Sequence, residues 1–537
     1  MITPGRNVQT KGLVTNMVKI NKETLKKSFL YTFVFGIIAH GYAFANFQPS
    51  HDSLVEAISN ATYWNWKIQL GRYLKPLYDG IFGRFTSFPW TNGLMALVWL
   101  TFASYLVVEM LKLKENRHIA IVCGILTTNV TVTALAATYN PDFGGNMCAL
   151  ALTMLGAYIW EKITSNGSNV KASTVWGYEV LIGCCVAASM AVYQVFVFTF
   201  ITIVLIISIL RCLDYPKYSF KKIWLSDFLA AGAAILGGLV YYAGLNVAAS
   251  VTGIPLIQDS YNSVSNAWTN AEPLKDRLVA CWSQLKSSFL EMPGYAYPSQ
   301  IPHLINLLLI ILGVFCLFMG IITLYKKRSP IGSVVTLVLF LILLPFCING
   351  MRLLNSYVHM LMTYSYWLLY ILIFCIAVKY THDSRNCFPE RLATILLCCL
   401  FLLNIQTANA CYVKKSTEQE STLSVMTRVI DKIEDIDGYE PGVTPVAFIG
   451  TPDGYLNSFE AFRELSSITG LDSNTPISYS IVFNSYFKMI MRANINVVYD
   501  SVAYDTVGYT FIQNMVSFPQ KGSIQMANGI VIVKFND

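Results

Sequence analysis

His51 and Asp52 stand side by side in Ser50-His51-Asp52-Ser53, followed by Trp64-Asn65-Trp66, Lys67 and then Gly71-Arg72-Tyr73-Leu74-Lys75. A carboxylate in such a segment can take the proton of a hydroxyl as that hydroxyl attacks an electrophilic carbon. Fixed cations beside it can hold a phosphate and stabilise the charge that grows on it as it leaves. Arg72 and Lys75, three residues apart, fall on one helical face. A second acid, Asp142, lies in Tyr139-Asn140-Pro141-Asp142-Phe143-Gly144, and a further cation, Arg352, in Asn349-Gly350-Met351-Arg352-Leu353. Plainer roles compete with each. Ser50-His51-Asp52-Ser53 also reads as the start of a helix over 54–59, Asn140-Pro141-Asp142 as a turn, and the cations as long side chains reaching for a membrane surface.

Composition dictates the elements that must position these groups. The chain has 537 residues, 54% hydrophobic and 13% charged, with a mean hydropathy of +0.49. Soluble domains carry roughly 25% charged residues, so the expected class is a polytopic α-helical membrane protein. Residues 1–27 are polar and contain Arg6, Lys11, Lys19, Lys22, Lys26 and Lys27, which predicts a cytoplasmic tail and not a cleaved signal. The 13 cysteines fall almost all in apolar runs, without CxxC or His-rich spacing. Neither a disulfide framework nor a metal site is expected, and no cofactor is called for, a divalent cation being left open.

A span needs about 20 apolar residues. About eleven candidates follow, near 28–46, 91–111, 118–137, 145–161, 177–193, 194–212, 227–250, 302–325, 331–349, 356–379 and 392–411. The 177–212 run is too long for one crossing and is divided at Tyr193-Gln194, a polar pair that either turns the chain or touches substrate. Lys and Arg then set orientation. They collect in the tail and in alternate connections (Lys112, Lys114, Arg117; Lys162, Lys171; Arg211, Lys217, Lys221, Lys222; Lys326-Lys327-Arg328; Arg385, Arg391). The N-terminus is therefore expected inside and the C-terminus outside.

The organisation predicted is a cytoplasmic tail (1–27), a transmembrane bundle (28–411) with large external loops at 47–90 and 251–301, and an extracytoplasmic α+β domain (412–537). Within that domain 421–436 has helical spacing, 445–450 and 496–499 read as buried strands, and 522–535 reads as a hairpin around Asn528-Gly529. Its nine cations against fourteen acids argue against nucleic acid as a partner.

On this topology the Asp52 segment lies outside, where loops should be poor in Lys and Arg, yet it keeps Lys67, Arg72, Lys75 and Arg84. Asp142 falls in the next external loop, close enough to share acceptor binding and base work with Asp52. Arg352 sits near membrane depth in the shortest external connection, where an ionisable group is a functional candidate. Arg72, Lys75 and Arg352 are thus expected on a donor phosphate, Trp66 stacked on a sugar face or in an interfacial belt, and Tyr193 and Gln194 near substrate. A transporter would instead place its ionisable groups at the midplane, often with internal repeats; no repeat is visible. A polysaccharide polymerase would carry its key basic residues in large external loops without a folded C-terminal domain.

These residues carry a resemblance. The chain resembles the bacterial and phage serotype-converting glucosyltransferase family, within the multispanning GT-C glycosyltransferases. The matching features are Asp52 in the first external loop, Trp66 with Gly71-Arg72, and Tyr193-Gln194 ending a span. Arg352 late in a span, Asn404 and Asn409 before the tail, and a terminal Gly529-Ile530-Val531-Ile532-Val533-Lys534 complete them. The likeness covers nearly the whole chain, although each motif is short. Members show two adjacent acids in the first loop where this chain has His51-Asp52; either His51 takes an acid's place in substrate binding or the paired role passes to Asp142. The resemblance implies transfer of glucose or another hexose from a polyprenyl-phosphate carrier, outside a bacterial cytoplasmic membrane, to a surface polysaccharide or teichoic-acid-like acceptor. Displacement would invert the anomeric carbon, with Asp52 as base and Arg72 and Arg352 on the phosphate. A lipid-linked oligosaccharide flippase or a polymerase is the alternative.

Overall fold

A computed structural model describes residues 20–57, 60–83, 89–165, 172–258, 263–264, 272–291, 300–457, 459–478, 480 and 482–536. Arg6, Lys11, Lys19, Arg84, Lys171 and much of the 251–301 loop lie outside the described residues. Nine described helices are long and apolar enough to cross a membrane. A tenth crossing is broken, with Asn116–Thr128 and Val130–Thr138 meeting at 41°. The eleventh expected span is the Phe196–Cys212 helix, 17 residues long and just too short for the same test. The break at the tenth has a single cause. Asn129 donates from Nδ2 to the Ile125 carbonyl (2.9 Å) and accepts at Oδ1 from the Val132 amide (3.0 Å), so one side chain ends the first helix and caps the second.

Two boundaries differ from expectation. Asp142 is not in a loop but in the first turn of the Asn140–Ser165 helix, with Tyr139 alone separating that helix from the one before. Pro141 is tolerated there because first-turn amides need no intrahelical acceptor, so a sequence that reads as a turn also starts a helix. The second difference is larger. The last span and the first helix of the tail are one 47-residue helix, Phe388–Glu434, about 70 Å long at 1.5 Å per residue, against an apolar layer of roughly 30 Å. The boundary expected at 411/412 falls inside it. Lys414, Lys415 and Glu418, which interrupt the apolar pattern, are buried and paired with one another, so the charges do not end the helix.

The tail carries a four-stranded sheet in the order β2-β1-β4-β3, formed by β1 (Pro445–Ile449), β2 (Asn496–Val498), β3 (Ile524–Ala527) and β4 (Ile530–Lys534). β1 runs parallel to β2 and β4, while β3 and β4 form the hairpin expected around Asn528-Gly529. Both faces are covered. Val446, Phe448, Val531 and Val533 share a core with Val425, Met426, Val429 and Ile433 of the long helix. Ala447, Ile449, Ile530 and Ile532 pack with Ala503 and Ile512. Burial on both sides is why β1 and β4 read as unbroken apolar runs.

Leu54, from the short helix His51–Glu56, is fully buried in the first of these two cores. The segment bearing Asp52 is thereby pinned to the tail domain as well as to the bundle. Leu54→Ala should cost about 2–4 kcal/mol and loosen that attachment. Limited proteolysis in detergent should release the tail faster than from the unaltered protein, at an unchanged level of membrane insertion.

Candidate functional site

Ser50 caps the His51–Glu56 helix: the Ser53 amide donates to Ser50 Oγ (3.2 Å) and the Ser50 amide donates to Ser53 Oγ (3.3 Å). The capping role suggested for this segment therefore falls on Ser50, and the Asp52 carboxylate is left open, its side chain 34% exposed with His51 Nε2 3.2 Å from Oδ1.

Behind Asp52 lies a buried cluster of three cations and three acids. Lys67 Nζ sits 2.8 Å from Glu56 Oε1 and 2.7 Å from Asp142 Oδ2. Lys75, wholly buried, reaches Asp79 (2.5 Å) and Asp142 Oδ1 (3.4 Å) and donates to the Tyr63 hydroxyl (2.8 Å) and the Pro141 carbonyl (3.1 Å). Arg72 Nη1 lies 3.6 Å from Asp142 Oδ2, and its guanidinium stacks over Tyr193 at 4.8 Å. Arg72 Nε is buried and makes no hydrogen bond. Asp142 is thus surrounded by three cations, whereas Asp52 faces open space.

A tight turn presents Arg72. Gly71 has φ +76°, and a Cβ there would meet the Tyr241 hydroxyl at 2.5 Å. Gln194 Nε2 donates to the Leu70 carbonyl (2.6 Å) and the Tyr241 hydroxyl donates to the Gly71 carbonyl (3.1 Å), clamping the turn from the 193–195 break on one side and the Phe220–Thr252 helix on the other.

Two cavities meet at this turn. A polar one of about 820 Å³ is lined by His51, Asp52, Trp66, Lys67, Asp142 and His359, and roofed by Thr451, Asp453 and residues 466–473 of the tail. Thr451 and Asp453 follow the carboxyl end of the parallel strand β1, the usual ligand-facing end of such strands. An apolar groove of about 640 Å³ runs alongside, lined by Val197, Phe198, Ile235, Leu239 and Tyr242. Leu70, Arg72, Tyr193 and Met362 border both.

The structure therefore gathers His51, Asp52, Trp66, Arg72, Asp142 and Tyr193 around one chamber and puts Gln194 on the adjoining groove. Lys75 lies behind Asp142 and lines neither space. Arg352 lies apart: it pairs with Glu272 (2.8 Å), donates to the Asn355 carbonyl (3.1 Å), and borders neither cavity. Glu56, Asp79, Lys415 and Asp453 are not singled out by the sequence, whereas His359, which reads there as a bundle hydrogen-bonder, lines the chamber. Lys75 and Asp79 had a readable four-residue spacing, but nothing in the sequence shows that Glu56 is buried. Burial depresses the His359 pKa. Among the described residues the metal-capable group Glu115, His118 and Glu390 lies at the far end of the bundle. Arg117 occupies it, 2.7 Å from Glu115 and 2.8 Å from Glu390.

A protein-family model described as Glucosyl transferase GtrII matches residues 41–374. The chain belongs to the Glucosyl transferase GtrII family. The matched stretch spans more than half of the chain and contains Asp52, the cation cluster, the Tyr193-Gln194 break and Arg352, and it stops before the tail domain. This GtrII member is a multi-pass membrane glycosyltransferase, so the transporter alternative is set aside. No curated protein matches the chain, and no solved structure does.

The cluster has a pH signature. Burial first, then the Asp142 charge, pushes the Glu56 carboxyl up to about 8 despite the opposing pull of Lys67 and Lys75. Burial opposes the Lys67 ammonium, but Asp142 and Glu56 outweigh it and hold its pKa above the usual value. Between an ordinary carboxyl value of 4.5 and about 8 the folded chain keeps a proton at Glu56 that the unfolded chain has released. Stability from this group is therefore greatest below the lower value and falls as pH rises through the upper one. Glu56→Gln should remove that fall, so the variant's thermal midpoint in detergent gains on the unaltered protein's as pH goes from about 5 to about 9. Parallel midpoints across that range would refute it.

Proposed function

We propose that the protein transfers a glucosyl residue from a polyprenyl-phosphate carrier to a surface glycan on the extracytoplasmic side of a bacterial cytoplasmic membrane. One observation carries this reading: Arg72, with an unused buried Nε–H, stands where the polar chamber holding Asp52 joins the apolar groove. A lipid-phosphate sugar needs that arrangement, because its hydrocarbon chain, its phosphate and its sugar want three different environments in a row. The chain lies along Phe198, Ile235 and Leu239, the phosphate meets Arg72, and the sugar projects into the chamber.

In the reaction an acceptor hydroxyl attacks the anomeric carbon from the side opposite the phosphate, and Asp52 takes its proton. The carbon–oxygen bond to the phosphate breaks, and Arg72, with Lys67 behind it, stabilises the phosphate as it leaves. A single displacement inverts the anomeric centre. Asp142, held by three cations, positions Lys67 and Arg72 and takes no proton. His51 and Trp66 contact the acceptor. Sidedness follows from charge: Lys112, Arg211, Lys217 and Lys326-Lys327-Arg328 lie at the helix ends away from the chamber, as cytoplasmic connections do.

Asp52→Asn should lower transfer by about 100- to 10,000-fold while the protein stays folded in the membrane. Arg72→Gln should raise the donor KM and lower kcat, and Asp52→Asn should leave the donor KM alone. The measurement is sugar transfer from synthetic polyprenyl-phosphate glucose to extracted surface polymer. Near-normal decoration by Asp52→Asn would overturn the assignment of the base, and no transfer by the unaltered protein with any polyprenyl-phosphate hexose would overturn the donor.

A further inference from the structure

A smaller side cavity of about 240 Å³ opens beside the main chamber, and Tyr357, Ser467 and Thr469 border both. Its lining differs in kind. The main chamber is bordered by Asp52, Lys67, Arg72, Asp142, Lys415, Asp453 and Asp472. Among the described residues no ionised side chain borders the side cavity.

Its walls are aromatic rings and neutral hydrogen-bonding groups. Trp367 and Tyr370 stack with ring centres 5.4 Å apart, and Phe289 lies 5.5 Å from Tyr370 and 6.1 Å from Tyr366. Hydroxyls and an amide from Thr131, Gln284, Ser287, Ser288, Thr363 and Thr469 fill the gaps between the rings. Several are already oriented: Trp367 Nε1 donates to Thr131 Oγ1 (3.1 Å), and the Met360 amide donates to Thr469 Oγ1 (3.1 Å). The second bond ties the tail domain to the 360–362 turn of the bundle, so the pocket needs both parts of the chain.

We propose that this side cavity is a subsite for one uncharged hexose residue of the acceptor glycan, next to the residue that receives the new sugar. Aromatic faces accept the C–H face of a pyranose ring, hydroxyls and amides exchange hydrogen bonds with its hydroxyl groups, and the space suits a single ring. The absence of ionised groups along its lining gives it a preference. A uronate or a phosphorylated sugar would lose its hydration there without gaining a counter-charge. The subsite rests on the proposed glycan acceptor, and it makes the tail domain, through Ser467 and Thr469, part of acceptor selection.

The test reads binding apart from transfer. Saturation-transfer NMR on the full chain in nanodiscs uses methyl glycosides of neutral hexoses and of glucuronic acid as probes. Two variants change the pocket mouth without touching buried packing: Tyr357→Ala, at a half-exposed side chain, and Ser467→Trp, at an exposed one that would fill the opening. The expected result is saturation of at least one neutral glycoside, none of the glucuronide, and roughly tenfold weaker binding in each variant, the equivalent of one lost ring or hydrogen-bonding contact. Saturation that survives both variants, equal saturation of the glucuronide, or no saturation of any neutral glycoside overturns the subsite. Failure of the donor assay alone overturns the carrier and leaves this result standing.

Discussion

Buried charges are tolerated only when they are paired and hydrogen-bonded, and this constraint organises the end of the molecule that holds Asp52. Three acids and three cations from five short stretches of chain meet below Asp52. Removing any one would leave a partner charged and buried. The pairing therefore fixes helix His51–Glu56, helix Asn60–Gln69, the Gly71 turn, helix Lys75–Phe82 and the first turn of Asn140–Ser165 against each other with little freedom. The cluster contributes less to net stability than its contacts suggest, because dehydrating the groups offsets much of the attraction. What it supplies is one geometry for Arg72.

The second organising feature is continuity between bundle and tail. The Phe388–Glu434 helix is a span at one end and a core helix of the tail at the other, so the sheet cannot tilt independently of the membrane part. Leu54 closes the arrangement from the opposite direction by inserting the loop that bears Asp52 into the tail's core. The roof of the chamber is built from residues 451–478, beyond the stretch that matches the GtrII family. Donor-side groups and roof thus come from different parts of the chain. On the proposed function, acceptor preference can change in the roof while the chemistry below it stays the same.

Much of this was legible in the sequence because hydropathy and turn chemistry are local signals. Each of the eleven expected spans has a corresponding helix, and the Asn528-Gly529 hairpin and both parallel strands lie within a residue or two of their expected positions. Asp52, Arg72 and Asp142 reach one chamber because the segments that join the spans at one end of the bundle are close in space. Other features were not legible. The boundary expected at 411/412 follows the charged residues that end the apolar run, but Lys414 and Lys415 pair with Glu418 one turn on in the same helix, and Lys414 also donates to the Ser473 carbonyl of the tail, a contact no spacing reveals. Arg352 is expected on a phosphate from its depth, and its pairing with Glu272, eighty residues earlier in the chain, is a contact that no spacing reveals. Glu56 reads as an ordinary helix acid. Its burial depends on where Lys67 and Asp142 lie, which no spacing reveals.

The charge balance of the cluster bears on how the two chamber acids divide their work. With Glu56 protonated up to about pH 8 the cluster holds three cations against two ionised acids, so an arriving phosphate meets one positive charge in excess, carried by groups that are already engaged. Arg72 is the most loosely engaged of the three: its contact to Asp142 is 3.6 Å, against 2.7 Å for Lys67, and its Nε–H is unused. Turning toward a phosphate would cost Arg72 little, because Lys67 and Lys75 continue to hold Asp142. An acid so enclosed is a poor base, since taking a proton would leave cations buried without their counter-charge. Asp52, outside the cluster and one-third exposed beside His51, can be protonated without disturbing it. On the proposed mechanism the two acids are therefore not interchangeable: one holds the cations for the donor, and the other is left free to receive the acceptor's proton.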